Sequence, residues 1–233
     1  MPAAKQLGLP LHRDDAATFS TYVAGANAEA LAAVRQVAIH GGAFIYLWGG
    51  LGTGRSHLLA AACAAALEAG RSASSLPLTE IASFGPAVCE DLDRLDLVCL
   101  DDLDAIAGNA GWEQSICHLY NSLRERRGDL ILTATTNPAD SPIVLADLKS
   151  RLTWGLVFQL RPLDETGRRE VLARRVRARG IELTDEVIDY LLHRHRRDLA
   201  SLCRAVDRLD AASMAAQRRL TLPFARSVLD GGE

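Results

Sequence analysis

Cysteine is sparse and unpatterned in this 233-residue chain. Its five cysteines, Cys63, Cys89, Cys99, Cys117 and Cys203, are odd in number, widely separated and never spaced as C-x-x-C. That excludes a disulfide framework and a cysteine-based zinc site, and leaves them as small apolar residues. Lysine is almost missing: Lys5 and Lys149 are the only two, so nearly all positive charge is arginine. Net positive charge is missing as well, with 26 basic against 29 acidic residues and a formal charge of −3. A polybasic chain held to nucleic acid by bulk charge is thereby excluded. No run approaches the ~18 consecutive apolar residues of a membrane span. Met1-Pro2-Ala3-Ala4-Lys5 has no apolar stretch behind its single charge, so no secretion signal is expected and a cytoplasmic location is the default.

What is present is the mix of an ordinary globular protein, 48% hydrophobic and 24% charged residues. Residues 1–14 carry Gly8, Pro2 and Pro10 with no period and read as an extended tail. From Asp15 to about His40 the spacing predicts one or two helices, interrupted near Gly25-Ala26-Asn27. Ala43 to Trp48 is a short apolar run ending in glycines, a buried strand followed by a loop, with a helix from about Ser56 to Ala69. Further strands are expected over 95–100, 129–135 and 155–160, with a helix over about 112–126 between the first two. Strands alternating with helices predict an α/β fold with a parallel sheet flanked by helices, over residues 15–162. Beyond Pro162 only helices are expected, over about 164–179, 184–194 and 197–217, with a short one after Thr221. This makes residues 163–233 a small all-helical unit, too small to bury a large core alone.

The chemistry concentrates between the first strand and its helix. Gly49-Gly50-Leu51-Gly52-Thr53-Gly54-Arg55-Ser56 fits the phosphate-loop pattern G-x-x-x-x-G-K-[ST] except that Arg55 replaces lysine. Glycines let backbone N–H groups turn inward around a phosphate, the helix adds its positive end, and Ser56 offers a hydroxyl to Mg²⁺. A guanidinium is planar and larger than the ammonium it replaces, so nucleotide binding with poor hydrolysis is expected. Asp101 and Asp102 end the second apolar run. One carboxylate there can hold Mg²⁺ and the next can orient an attacking water.

Phosphate loop, acidic pair, the polar run Thr133-Ala134-Thr135-Thr136-Asn137-Pro138 and Leu148-Lys149-Ser150-Arg151-Leu152-Thr153-Trp154-Gly155 together resemble the AAA+ module of the bacterial replication initiator DnaA, over about residues 17–217. Within that family the chain is most similar to the regulatory inactivators of DnaA. It ends after the helical lid, where DnaA continues into a DNA-binding domain. Gln6-Leu7-Gly8-Leu9-Pro10-Leu11 resembles the peptide by which those inactivators grip the DNA polymerase III sliding clamp. They too can carry arginine in the phosphate loop.

The resemblance implies an ADP or ATP site formed by Gly49, Gly50, Gly52, Gly54, Arg55 and Ser56, with Asp101 and Asp102 as Walker B acids and Mg²⁺ held at Ser56 and Asp101. It places Arg197 as the lid's sensor arginine, Thr135 at the sensor-1 position and Arg151 as an arginine finger acting on a neighbour's nucleotide. Gln6, Leu7, Leu9 and Leu11 become clamp contacts, and DNA is reached through the clamp. Asp147 stands where DnaA has a further interface arginine, which speaks against DnaA-style filaments; a homo-oligomer built on Arg151 stays open. The implied activity is stimulation of hydrolysis of DnaA-bound ATP, with little turnover of the chain's own. An autonomous DnaA-like ATPase and a DNA-tethering paralogue are the alternatives. No membrane partner is expected. The arginines between Arg168 and Arg179 spread around a helix among acids and are expected to form a solvated face.

Overall fold

The computed structural model describes residues 17–194 and 199–230. Chain order begins with α1 (Ala28–His40), β1 (Phe44–Trp48), α2 (Arg55–Glu68), β2 (Ala73–Pro77), the single turn α3 (Leu78–Ile81) and β3 (Leu97–Asp101). It continues with α4 (Ala110–Arg126), β4 (Asp129–Ala134), α5 (Ala146–Arg151) and β5 (Leu156–Gln159), then α6 (Glu165–Ala178), α7 (Asp185–Arg194), α8 (Leu199–Ala216) and α9 (Leu222–Asp230). The five strands form one parallel sheet in the order β2-β3-β4-β1-β5. Strand periodicity sorts side chains into two layers. Ile45, Leu47, Leu97, Cys99 and Ile131 pack with α1 and α2, whereas Tyr46, Val98, Leu100, Leu130 and Leu132 pack with α4 and its surroundings. A third apolar cluster lies wholly within α6–α9, around Leu172, Leu191, Leu202, Leu209 and Leu229.

Two expectations need correction. Ala73–Pro77 is a fifth strand that the residue pattern did not announce, because an Ala-Ser-Ser-Leu-Pro run has little β-branched character. It sits on the sheet's edge against β3 alone, where proline is tolerated. The stretch before Gly25 is not helical either. Thr18 and Thr21 exchange side-chain and backbone hydrogen bonds there, which offers the backbone an alternative to a helix. A 3₁₀ turn over Gly25–Asn27 then leads into α1.

The end of the sheet away from the glycine loop is fastened by a buried ion pair. Asp129 accepts from the backbone N–H groups of Gly42 (2.7 Å) and Ala43 (3.0 Å) and pairs with Arg71. Arg71 in turn donates to the last carbonyls of α1, at Val37 (2.6 Å) and Ala38 (2.9 Å). Three arginines of α6 and one just after it find acids within the helical cluster: Arg169 pairs with Asp189, Arg174 with Glu170, and Arg175 and Arg179 with Asp207.

Candidate nucleotide-binding site

The glycine loop is rooted in the sheet on both sides. Gly49 donates to the carbonyl of Ala134 at the end of β4 (3.2 Å), and Leu160 beyond β5 donates to Trp48 (2.7 Å). A Cβ at Gly49 would lie 2.6 Å from the Leu160 carbonyl oxygen, so the close approach of these backbones requires glycine. Gly54 turns the loop into α2 with φ of +88°, and a Cβ there would meet the Tyr22 ring at 2.7 Å. Tyr22 supports the loop from below and donates its hydroxyl to the Thr53 carbonyl at 3.5 Å. Burial, partly offset by Asn27, pushes that hydroxyl up to about 12, so it remains a protonated donor at neutral pH. The Thr53 hydroxyl closes the loop by donating to Gly50 (2.9 Å).

Arg55 opens α2 and is buried, at 7% exposure. Its Nη2 lies 2.9 Å from Oδ1 of Asp102, while its Nη1 is buried with no hydrogen-bond partner. Asp102 has left the strand: its φ is +55°, and its backbone N–H donates to the hydroxyl of Thr133 at 2.9 Å. That hydroxyl donates in turn to Oδ1 of Asp101, the last residue of β3. Burial first, then the Asp101 and Asp104 carboxylates, push the Asp102 carboxyl above its ordinary range against the opposing pull of Arg55. Thr133 is fully buried and was not singled out from the sequence, where a threonine in an apolar run reads as one more β-branched strand residue. Thr135 stands beyond the strand, exposed, and donates its N–H to Asp104 at 2.6 Å.

These groups fit an anion with a divalent cation. The N-terminus of α2 has no side-chain cap, and its first N–H groups have no acceptor within the helix. Beside them stands the unpartnered Nη1 of Arg55. Ser56 is exposed at the helix start and Asp101 ends the strand. Among the described residues no three or more His, Cys, Asp or Glu side chains converge on a metal site. Mg²⁺ does not need such a cluster, because it is held by one or two protein oxygens together with phosphate and water. The helical region approaches from above: a Cβ at Gly52 would lie 3.4 Å from the Leu199 nitrogen at the start of α8. Arg197, and the tail residues Gln6, Leu7, Leu9 and Leu11, lie outside the described residues.

Arg151 ends α5 with only 16% of its side chain exposed. Nε donates to Asn121 on α4 (2.7 Å), Nη1 donates to the Asp147 carbonyl (3.1 Å), and the guanidinium pairs with the Asp147 carboxylate and lies 5.5 Å from the Trp154 ring centre. Trp154 is more than half exposed and also stacks with Arg124 at 5.1 Å. The loop, Asp101 and Asp102 are thus brought together, while Arg151 engages a separate set of partners on α4 and α5. Asn121 carried no sequence signal, because its contact with Arg151 arises only when α4 packs on α5, and Trp154 was visible only as part of the run that carries the family resemblance.

The family model described as the bacterial DnaA ATPase domain matches residues 13–159, and that of the Hda lid domain matches residues 164–229. The chain belongs to the DnaA ATPase family. Domain III of the Thermotoga maritima initiator DnaA superposes with a TM-score of 0.83 at 23% identity, covering 96% of this chain and 98% of that one. Aquifex aeolicus DnaA bound to AMPPCP gives a TM-score of 0.68 at 23% identity over 82% of this chain and 63% of that one. RuvB from Thermotoga maritima gives 0.64 at 14% identity over 86% of this chain and 66% of that one. At these identities the structures establish the AAA+ fold, a parallel sheet flanked by helices with a helical lid-like region after it. No helix of this DnaA-family chain, among the described residues, is long and apolar enough to cross a membrane.

Proposed function

We propose that this DnaA-family chain is a cytoplasmic, nucleotide-binding regulator of replication initiation that docks on the DNA-loaded sliding clamp and lends Arg151 to ATP-bound DnaA. The observation that carries the reading is the pairing of a DnaA ATPase domain with an Hda-type lid in one chain. AMPPCP bound by the Aquifex aeolicus relative supports an adenine nucleotide, ADP or ATP, at the glycine loop. Gly49, Gly50, Gly52 and Gly54 would present backbone to the phosphates, Arg55 and Arg197 would add charge, and Ser56 and Asp101 would hold Mg²⁺. A bound nucleotide supplies the anionic ligand that orders residues 163–233 against residues 15–162. Gln6, Leu7, Leu9 and Leu11 would insert into the clamp and bring the chain to DNA. Arg151 would then stabilise charge on the γ-phosphate of the neighbouring DnaA, a contribution of roughly 10³–10⁵ in rate or about 4–7 kcal/mol.

The deciding measurement is single-turnover hydrolysis of ATP pre-bound to DnaA, with clamp loaded on DNA. Wild-type chain should accelerate it, while Arg151→Ala and the double variant Gln6→Ala/Leu9→Ala should not, although both still fold and bind nucleotide. Equal activity of Arg151→Ala would sink the trans-acting arginine. An autonomous ATPase is the competing reading, favoured by the intact Ser56 and Asp101; steady-state ATP turnover by the purified chain separates the two.

A further inference from the structure

Nucleotide hydrolysis at such a site assigns two groups to separate tasks: the loop cation to the phosphates, and the carboxylate after the metal-binding aspartate to the attacking water. In this chain the two groups hold each other. Nη2 of Arg55 lies 2.9 Å from Oδ1 of Asp102. The Asp102 backbone is fixed as well, by the 2.9 Å bond from its N–H to the buried Thr133 hydroxyl and by a left-handed φ of +55°. Nη1 of the same guanidinium is buried and has no hydrogen-bond partner. A guanidinium is a rigid fork that serves two acceptors at once, whereas a lysine ammonium is a single point charge. The Arg55 fork therefore has one arm committed to Asp102 and one arm open beside the capless N-terminus of α2.

Building on the reading of the loop as a nucleotide site, we propose that Arg55 bridges Asp102 and a phosphate oxygen of the bound nucleotide, and that this bridge keeps Asp102 off the attacking water. The chain then holds ATP or ADP without turning it over, and the lock needs nothing from Arg151. Lysine at position 55 would spend its one charge on the phosphates. Asp102 is then free to accept a proton from the water as the water oxygen bonds to the γ-phosphorus and the bond from that phosphorus to the bridging oxygen breaks, giving ADP and inorganic phosphate.

The test uses the full chain alone, without DnaA or clamp, as wild type, Arg55→Lys, Asp102→Asn and the double variant. Fluorescent ADP and ATP analogues report affinity, thermal melts of nucleotide-free protein report the ion pair, and phosphate release reports turnover. Arg55→Lys should retain nucleotide and raise ATP turnover by about a hundredfold or more, within the range of roughly 10²–10⁴ a general base contributes. The double variant should fall back to the wild-type rate. In nucleotide-free protein, Asp102→Asn should lower the melting midpoint more when Arg55 is present than when lysine replaces it. Turnover of Arg55→Lys at the wild-type level overturns the lock, as does a gain that survives Asp102→Asn or an equal midpoint loss in both backgrounds. Wild-type chain that binds neither analogue overturns the loop reading and the proposal with it. Equal activity of Arg151→Ala in the DnaA assay, which sinks the trans-acting arginine, leaves this result untouched.

Discussion

Thr133 carries, through one hydroxyl, the geometry of both acids at the candidate site. It donates to Asp101 and accepts from the backbone N–H of Asp102 in a fully buried position. Thr133→Val keeps the shape and leaves that N–H unpaired, which should cost about 1–3 kcal/mol in urea unfolding. Thr133→Ser should recover most of the loss, and a packing role alone would predict the reverse order. At this scale the sequence was informative where a residue's chemistry clashes with its surroundings. Glycines and an arginine between a strand and a helix, or two aspartates after an apolar run, are visible because nothing else needs them there. Thr133 was visible only as the first residue of a polar run and Tyr22 not at all, because a threonine in a strand and a tyrosine near a loop are what packing alone would choose. Their importance depends on which strand lies beside β3 and on what passes beneath Gly54.

At the scale of elements, Glu113 on α4 accounts for how the short α5 is placed. Its buried carboxylate accepts from Gly108 (2.7 Å), Val144 (3.1 Å) and Leu145 (2.6 Å), so it ties the start of α4 to the segment entering α5, where Arg151 sits. Glu113→Ala leaves three backbone donors without this acceptor. Faster hydrogen exchange at Val144 and Leu145 is expected, with about 1–3 kcal/mol lost from global stability; unchanged exchange would show that α5 is fixed by packing alone. The helices and central strands were legible from their composition and their end signals, as where Gly70 follows α2 and Gly180 follows α6. β2 was not, because an edge strand takes half its definition from the neighbour it pairs with. The turn before Gly25 was missed because the bonds between Thr18 and Thr21 override a period that alanine-rich sequence imitates.

At the scale of the whole molecule, described residues of the helical region reach the support of the loop through Arg174. Arg174 on α6 donates to the carbonyls of Ser20 (2.8 Å) and Tyr22 (3.1 Å), the same tyrosine that supports Gly54. A ligand that binds only the folded state stabilises it by mass action, by about 2.7 kcal/mol at a hundredfold excess over Kd. Saturating ADP should therefore raise the denaturation midpoint of the wild-type chain, and Arg174→Ala should shrink that gain without abolishing binding. An equal gain in the variant would mean that nucleotide is felt by the sheet alone.

The strand order has a consequence in time. β1, which carries the glycine loop, pairs only with β4 and β5: Phe44 faces Leu130, and Ile45 faces both Ile131 and Leu156. Emerging from a ribosome at about 5–20 residues per second, the chain holds β1 without a partner for several seconds after it has been made. The apolar segment Phe44–Trp48 is exposed throughout that interval, while the neighbours β2 and β3 can pair early. Nascent chains arrested before residue 129 should be captured by holdase chaperones through β1 and should not retain nucleotide. The site that defines the protein is begun among the first strands and completed by the last.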